Sequence, residues 1–235
     1  MKTYFLNTLF LLCFVVGKAQ MQKSIIVGYA IGTFNSNIDH SGDYFQVDQN
    51  NFQSKFNLGI QFKTQANTIY FIEYGQIYQR FSVDGETSES RFKIDQNKYI
   101  PSARVGLGTN FSILKKARKL WFIYFGAGIQ SEFHSTDVLR NISGNENDYV
   151  ELLTELQDKI VLTIQPEIAL TSEMSKNKSF WKLGLRYTFP FSQNVAKGKF
   201  SHYLEKELVK NQNFEISGKM LSVFLQLEFN ISKKK

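Results

Sequence analysis

The side chains able to do chemistry in this 235-residue chain are scattered acids, bases and imidazoles rather than a compact motif. Lys55, Lys63, Glu73, Arg104, Glu132, Glu167, Lys182, Arg186 and Glu228 interleave both signs. Such a set can line a path for ions or solutes, or it can form a plug of buried salt bridges, which persist when each charge is partnered. The three histidines, His40, His134 and His202, with Asp39 and Asp43 near the first, offer metal-ligand chemistry, but their spacing fits no ligand pattern. The stretch "SEFHS" around His134 invites a lipid-hydrolase reading through Ser131, Glu132 and His134. Nucleophile and base must share a face to exchange a proton, and in an extended chain Ser131 points away from the other two. Phosphate loops, dinucleotide fingerprints, paired-cysteine metal motifs and nucleophile elbows are all missing. The sequence therefore implies no catalytic residue, no cofactor and no metal.

What could hold these charges in place is a set of two-faced strands. Segment 220–231, "MLSVFLQLEFNI", sets Leu221, Val223, Leu225, Leu227, Phe229 and Ile231 against Ser222, Gln226, Glu228 and Asn230, with Phe224 interrupting the polar side. The same period of two predicts strands near 23–34, 53–64, 67–83, 98–113, 119–134, 159–173, 178–191 and 218–231. In "FWKLGLRYTFPF" the alternation is cleanest, with Trp181, Leu183, Leu185, Tyr187, Phe189 and Phe191 opposite Lys182, Gly184, Arg186 and Thr188.

Glycine decides which face is inside. Gly28, Gly32, Gly59, Gly75, Gly106, Gly108, Gly126, Gly128, Gly184 and Gly218 all fall on the polar face of their strands. A strand glycine costs about 0.5–1 kcal/mol relative to alanine. That cost has a reason inside an eight-stranded barrel, where long polar side chains fit only beside small neighbours. The polar face then lines the lumen, and the apolar face becomes a patch far too large for a water-soluble monomer, so lipid is its partner.

The links between strands agree. "TQAN", "KKARK" and "MSKN" are short, whereas residues 35–52, 135–158 and 192–213 are long, the asymmetry of a barrel with short periplasmic turns and long extracellular loops. Trp121 and Trp181 lie near the short-turn rim and face outward, where an interfacial aromatic belt belongs. Pro166 sits mid-strand and outward, which predicts a local irregularity at Gln165–Glu167, since proline has no ladder N–H. A tight hairpin through "MSKN" would set Gln165 opposite Arg186, with Glu167 diagonal to both Lys182 and Arg186. In the fifth link, "DYVELLTELQDK" spaces Tyr149, Leu152, Leu153 and Leu156 for a short amphipathic helix with Asp148 as N-cap, and "SHYLEKELVK" suggests a further helical turn.

The amino terminus, "MKTYFLNTLFLLCFVVGKAQ", combines Lys2, an apolar run from Leu9 to Val16, and small residues at Gly17 and Ala19. This is the layout of a secretory signal cleaved after Ala19, leaving residues 20–235 as one barrel domain. Cleavage removes Cys13, the one cysteine, and with it all thiol chemistry; it also removes Lys2 and Lys18, lowering the net charge from +7 to +5. That mild basicity is attached to no nucleic-acid motif, and "SKKK" at the carboxyl end reads as a solvated or headgroup-facing tail.

Signal, eight alternating strands, asymmetric rims and the closing "FLQLEFN" together resemble the small outer-membrane β-barrel proteins of Gram-negative bacteria, the OmpA/OmpX-like group that includes PorT-like barrels. The resemblance spans the mature chain and is one of architecture. It implies an eight-stranded antiparallel up-and-down barrel in the outer membrane, with membrane lipid as its first partner and an envelope or extracellular protein as a further one. The role expected is structural or surface-binding through the loops, with a plugged lumen of Lys55, Glu73, Arg104, Glu132, Glu167, Lys182, Arg186 and Glu228. The alternatives are a narrow porin-like channel, an accessory barrel of a secretion system, a lipid-modifying enzyme and a soluble carrier.

Overall fold

The computed structural model describes residues 21–38, 45–47, 51–86, 91–116, 119–134, 138–156, 158–174, 179–192 and 196–231. The expected signal segment, His40 with Asp39 and Asp43, and the lysine tail lie outside them. Twelve strands make up the described chain: β1 (Gln22–Ile38), β2 (Phe45–Val47), β3 (Phe52–Lys63), β4 (Thr68–Glu86), β5 (Arg91–Lys116), β6 (Lys119–Phe133), β7 (Val138–Gly144), β8 (Asp148–Leu156), β9 (Ile160–Glu173), β10 (Phe180–Pro190), β11 (Ala196–Leu204) and β12 (Glu207–Asn230). Eight of them, in the order β1-β3-β4-β5-β6-β9-β10-β12, pair antiparallel, and β12 returns to β1, so the barrel closes. All eight strands expected from the alternation are present.

Side-chain orientation follows the pleat. Outward positions on β12 run Leu221, Val223, Leu225, Leu227 and Phe229, all apolar, and β3 and β10 show equivalent rows with Phe56, Leu58, Ile60, Leu183 and Leu185 near half exposed. The apolar row of β12 is about the length a tilted strand needs to cross a hydrocarbon core. Tyr78 packs on Phe52 and Tyr99 (ring centroids 5.8 and 5.1 Å) toward the long-link end. At the short-turn end Trp121 and Trp181 meet edge to face at 5.7 Å, one on each side of Ser172, to which both are paired. Their rings explain why Ser172 is only 2% exposed although it faces outward.

The turn between β3 and β4 is closed by Thr64 N–H donating to Thr68 O (2.8 Å) and Asn67 N–H to Thr64 O (3.2 Å), with Asn67 left-handed at φ 62°. Asparagine tolerates that conformation better than most residues.

The long links are largely strands rather than loops. Above the last paired residues of β6 and β10, the wall is rebuilt: β12 exchanges β10 for β11, β11 pairs β8, and β8 pairs β7. On the other side β4 and β5 simply continue upward, joined by β2. The exchange on β12 coincides with a shift of register between Phe34 and Ser36 against Met220 and Ile216, where Gly218 takes φ 69°. Among the described residues β7 and β5 form no strand pairing, and the rebuilt wall meets β5 through Asn141, which accepts from Gln96 Nε2 at Oδ1 (3.3 Å) and donates from Nδ2 to Asp95 O (3.1 Å).

Two sequence expectations are corrected here. "DYVELLTEL" is strand β8, not a helix, with Val150 and Leu152 turned inward and Tyr149, Glu151, Leu153 and Glu155 outward. "SHYLEKELVK" is the β11–β12 hairpin, turning at Glu205 and Lys206, both of positive φ (51° and 70°). In both places a facing strand satisfies the backbone that a helix would have bonded internally, and tertiary pairing overrides local propensity.

Candidate functional site

The inner faces of the barrel strands place all eight expected lumen charges in the interior: Lys55, Glu73, Arg104, Glu132, Glu167, Lys182, Arg186 and Glu228 are each below 9% exposed. Four are acidic and four basic, so the belt is neutral over these residues. Its centre is Glu167 on β9. Arg186 on β10 donates to it through both Nε and Nη2 at 2.8 Å, Arg104 on β5 reaches it through Nη2 at 2.8 Å, and Tyr124 on β6 donates its hydroxyl at 3.0 Å. Arg104 also binds Glu73 at 3.2 Å. One carboxylate thus bridges two guanidinium groups, and a second carboxylate neutralises the excess.

The register differs from the hairpin expected around "MSKN". Arg186 stands directly opposite Glu167, with Lys182 opposite Thr171. The two-residue difference turns a diagonal contact into a direct one. The irregularity expected at Pro166 exists on one side only. Pairing with β6 is continuous, Ala127 opposite Pro166, whereas pairing with β10 passes from Arg186–Glu167 to Phe189–Ile164, skipping Tyr187 and Thr188 without a change of register.

Aromatic rings separate the charged layers. Lys182 Nζ lies 3.6 Å from the Tyr124 ring centroid, Arg104 lies over Phe71 at 4.5 Å, and Arg186 over Phe224 at 4.7 Å. Cations over ring faces gain electrostatic attraction where water is scarce. Toward the short-turn rim, Lys63 Nζ sits between the Phe122 and Phe180 rings, and Glu228 accepts from Ser24 at 2.9 Å. On the other side Lys55 donates to Gln130, Gln130 to Glu132 at 2.8 Å, and Lys98 Nζ lies 2.9 Å from His134 Nδ1.

Glycines make room for these side chains. A Cβ at Gly108 or Gly126 would lie 2.4 or 2.2 Å from the Tyr124 hydroxyl, so the ring occupies space that two side chains have vacated. Gly128 does the same for Arg104, and Gly28 for Asn57.

Above the charge belt the same inward face becomes apolar. Phe34, Phe81, Val83, Ile94, Val150, Leu152, Phe200, Phe214 and Ile216 form one cluster enclosed by the rebuilt wall. Phe34, Phe81, Phe214 and Phe200 stack in a row, with successive centroids 6.4, 5.2 and 4.7 Å apart. Between this plug and the charges, a void of about 10 Å³ bordered by Lys55, Gln130, Gln165 and Arg186 has room for one water at most. Sequence reasoning misses the plug because it treats the links as loops. The signal that could have found it is the period of two in "NQNFEIS", which sets Gln212, Phe214 and Ile216 on one face, all three of them buried.

The remaining candidates do not converge on chemistry. Ser131 faces outward while Glu132 and His134 are buried inside, and His134 is 3.8 Å from Glu132. His202, at the top of β11, pairs with Asp148 at 2.7 Å. Among the described residues no group of three His, Cys, Asp or Glu is arranged to hold a metal ion. Outside the membrane-crossing half, the carboxyl of Asp95 is held below its ordinary range by hydrogen bonds from Ser82 and Arg80.

The chain matches no protein-family model and no curated protein. Among solved structures it is similar to the outer membrane protein OprG from Pseudomonas aeruginosa, at 12% identity and a TM-score of 0.47, covering 90% of this chain and 97% of that one. It is also similar to the transport unit of the autotransporter AIDA-I from Escherichia coli, at 11% identity and a TM-score of 0.33, covering 90% and 91%. Eight antiparallel strands closed on themselves, apolar outside and charged within, make the chain a small β-barrel of the outer-membrane type.

Proposed function

We propose that the protein is an integral outer-membrane barrel that conducts nothing through its lumen and acts, without catalysis, as a structural or surface-binding protein through the strands raised above the membrane. The observation that carries this reading is the occupied interior: the Glu167-centred belt and the phenylalanine row above it fill successive levels of the inner face, and the voids described against them measure about 10 and 30 Å³. Separation of Ser131 from Glu132 and His134 supports a non-enzymatic role, because a nucleophile and its base need to share a face. Membrane lipid is the partner of the apolar belt, and a second ligand or envelope protein is met by the rebuilt wall. Purified protein reconstituted in planar bilayers tests the central point. Silence, or rare small openings, is expected; a steady ohmic current would reject the plug and install the channel alternative.

A further inference from the structure

The outer face of the rebuilt wall is a grid of paired side chains. Lys199 on β11 stands between Leu153 of β8 and Asn213 of β12, and one row lower Lys197 stands between Glu155 and Glu215. These six residues border an open cavity of about 380 Å³, which lies within the range of small-molecule sites. Lys197 and Glu215 neutralise each other at 3.3 Å. Among the described residues, Lys199, Glu155 and Asn213 have no side-chain partner of their own.

The floor is fixed. Gly198 lies against the ring of Phe214, so closely that a Cβ there would fall 2.1 Å from Phe214 Cζ, and that ring is locked between Phe81 and Phe200. A preformed floor saves the ordering cost that a flexible loop would bear on binding.

We propose that this cavity is a saccharide site, sized for one or two sugar rings; this deepens, and rests on, the surface-binding reading. Sugar hydroxyls both donate and accept, and the cavity presents a donor at Lys199, an acceptor at Glu155 and both at the Asn213 amide, beside the apolar methyl groups of Leu153 for ring C–H. The two lysines and two glutamates balance, so the cavity selects a neutral polyhydroxylated ligand rather than an anion. It also lies on the part of the chain raised above the apolar belt, where soluble glycans and the sugars of the outer leaflet are both within reach.

The test uses folded, fluorescently labelled protein in detergent on an array of neutral and amino mono- and disaccharides, with core oligosaccharide released from lipopolysaccharide as a second arm. Binding to at least one saccharide is expected, weakened tenfold or more by Asn213→Ala, Lys199→Met and Glu155→Gln and unchanged by Arg80→Ala on the opposite wall. Each variant is first shown to keep the heat-dependent gel shift of a closed barrel. Response in the core-oligosaccharide arm alone, with the same sensitivity, identifies the membrane's own sugar as the ligand. No saccharide bound, or binding indifferent to the three substitutions, overturns the site while silent bilayers leave the surface-binding reading standing; an ohmic current removes that reading whatever the array shows.

Discussion

Replacing Glu167 by Gln would leave Arg104 and Arg186, both buried, aimed at one uncharged amide. Removing one member of a buried charge group typically costs about 3–5 kcal/mol, most of it from the charges left behind. Glu167→Gln should therefore lower the unfolding free energy of the barrel in detergent, read by urea titration, by that amount, and adding Arg186→Met should restore part of it; an unchanged free energy would mean this group does not hold the lumen together. Steric fit matters as much. Gly126→Ala forces the Tyr124 ring off its place and its hydroxyl off Glu167, so a loss of about 1–3 kcal/mol is expected from overpacking. At this scale the inward parity of Glu167 and Arg186 is legible from simple alternation. Their direct opposition is not, because it depends on how many residues the turn after Met174 consumes, and Arg104 enters from β5, whose distance around the barrel no local pattern encodes.

Strands β8 and β11 show where element-level reading fails. In "DYVELLTEL" the leucines satisfy a helical spacing, while Val150, Leu152 and Thr154 equally satisfy alternation, and only a facing strand breaks the tie. The barrel strands are legible because lipid on one side and lumen on the other sharpen the contrast between faces, as in β10; the raised strands lie between water and an apolar plug and carry shorter, weaker patterns. The hairpin joining β11 to β12 turns on two non-glycine residues of positive φ, Glu205 and Lys206, where Asn-Gly is the sequence such a turn favours. Exchanging the pair for Asn-Gly relieves left-handed strain at both positions and should raise the unfolding free energy by about 1 kcal/mol, read by the same urea titration. In β9, Pro166→Leu supplies the N–H that proline lacks and should restore the skipped pairing with β10, a gain of about 0.5–1.5 kcal/mol. No gain would mean that the gap opposite Tyr187 and Thr188 has another cause.

At the scale of the molecule, one continuous set of inward positions serves two solvents. Within the lipid-facing half the interior is charged and the exterior apolar; above it the interior is apolar and Lys197, Lys199, Asn213 and Glu215 face out. Within the membrane-crossing half the eight-stranded wall closes through β1 and β12 and leaves no strand edge at which unfolding begins, so the protein should sediment with outer membranes, resist carbonate extraction and migrate faster on a denaturing gel before boiling than after. Recovery as a soluble monomer would reject the lipid-facing belt. The tryptophans add an optical consequence. The chain has only two, and both lie in one edge-to-face pair beside Ser172 at the short-turn rim. All of its indole emission therefore comes from a single depth, so quenching by lipids brominated at successive acyl positions reads how far that rim has travelled across the bilayer during insertion, with no label attached.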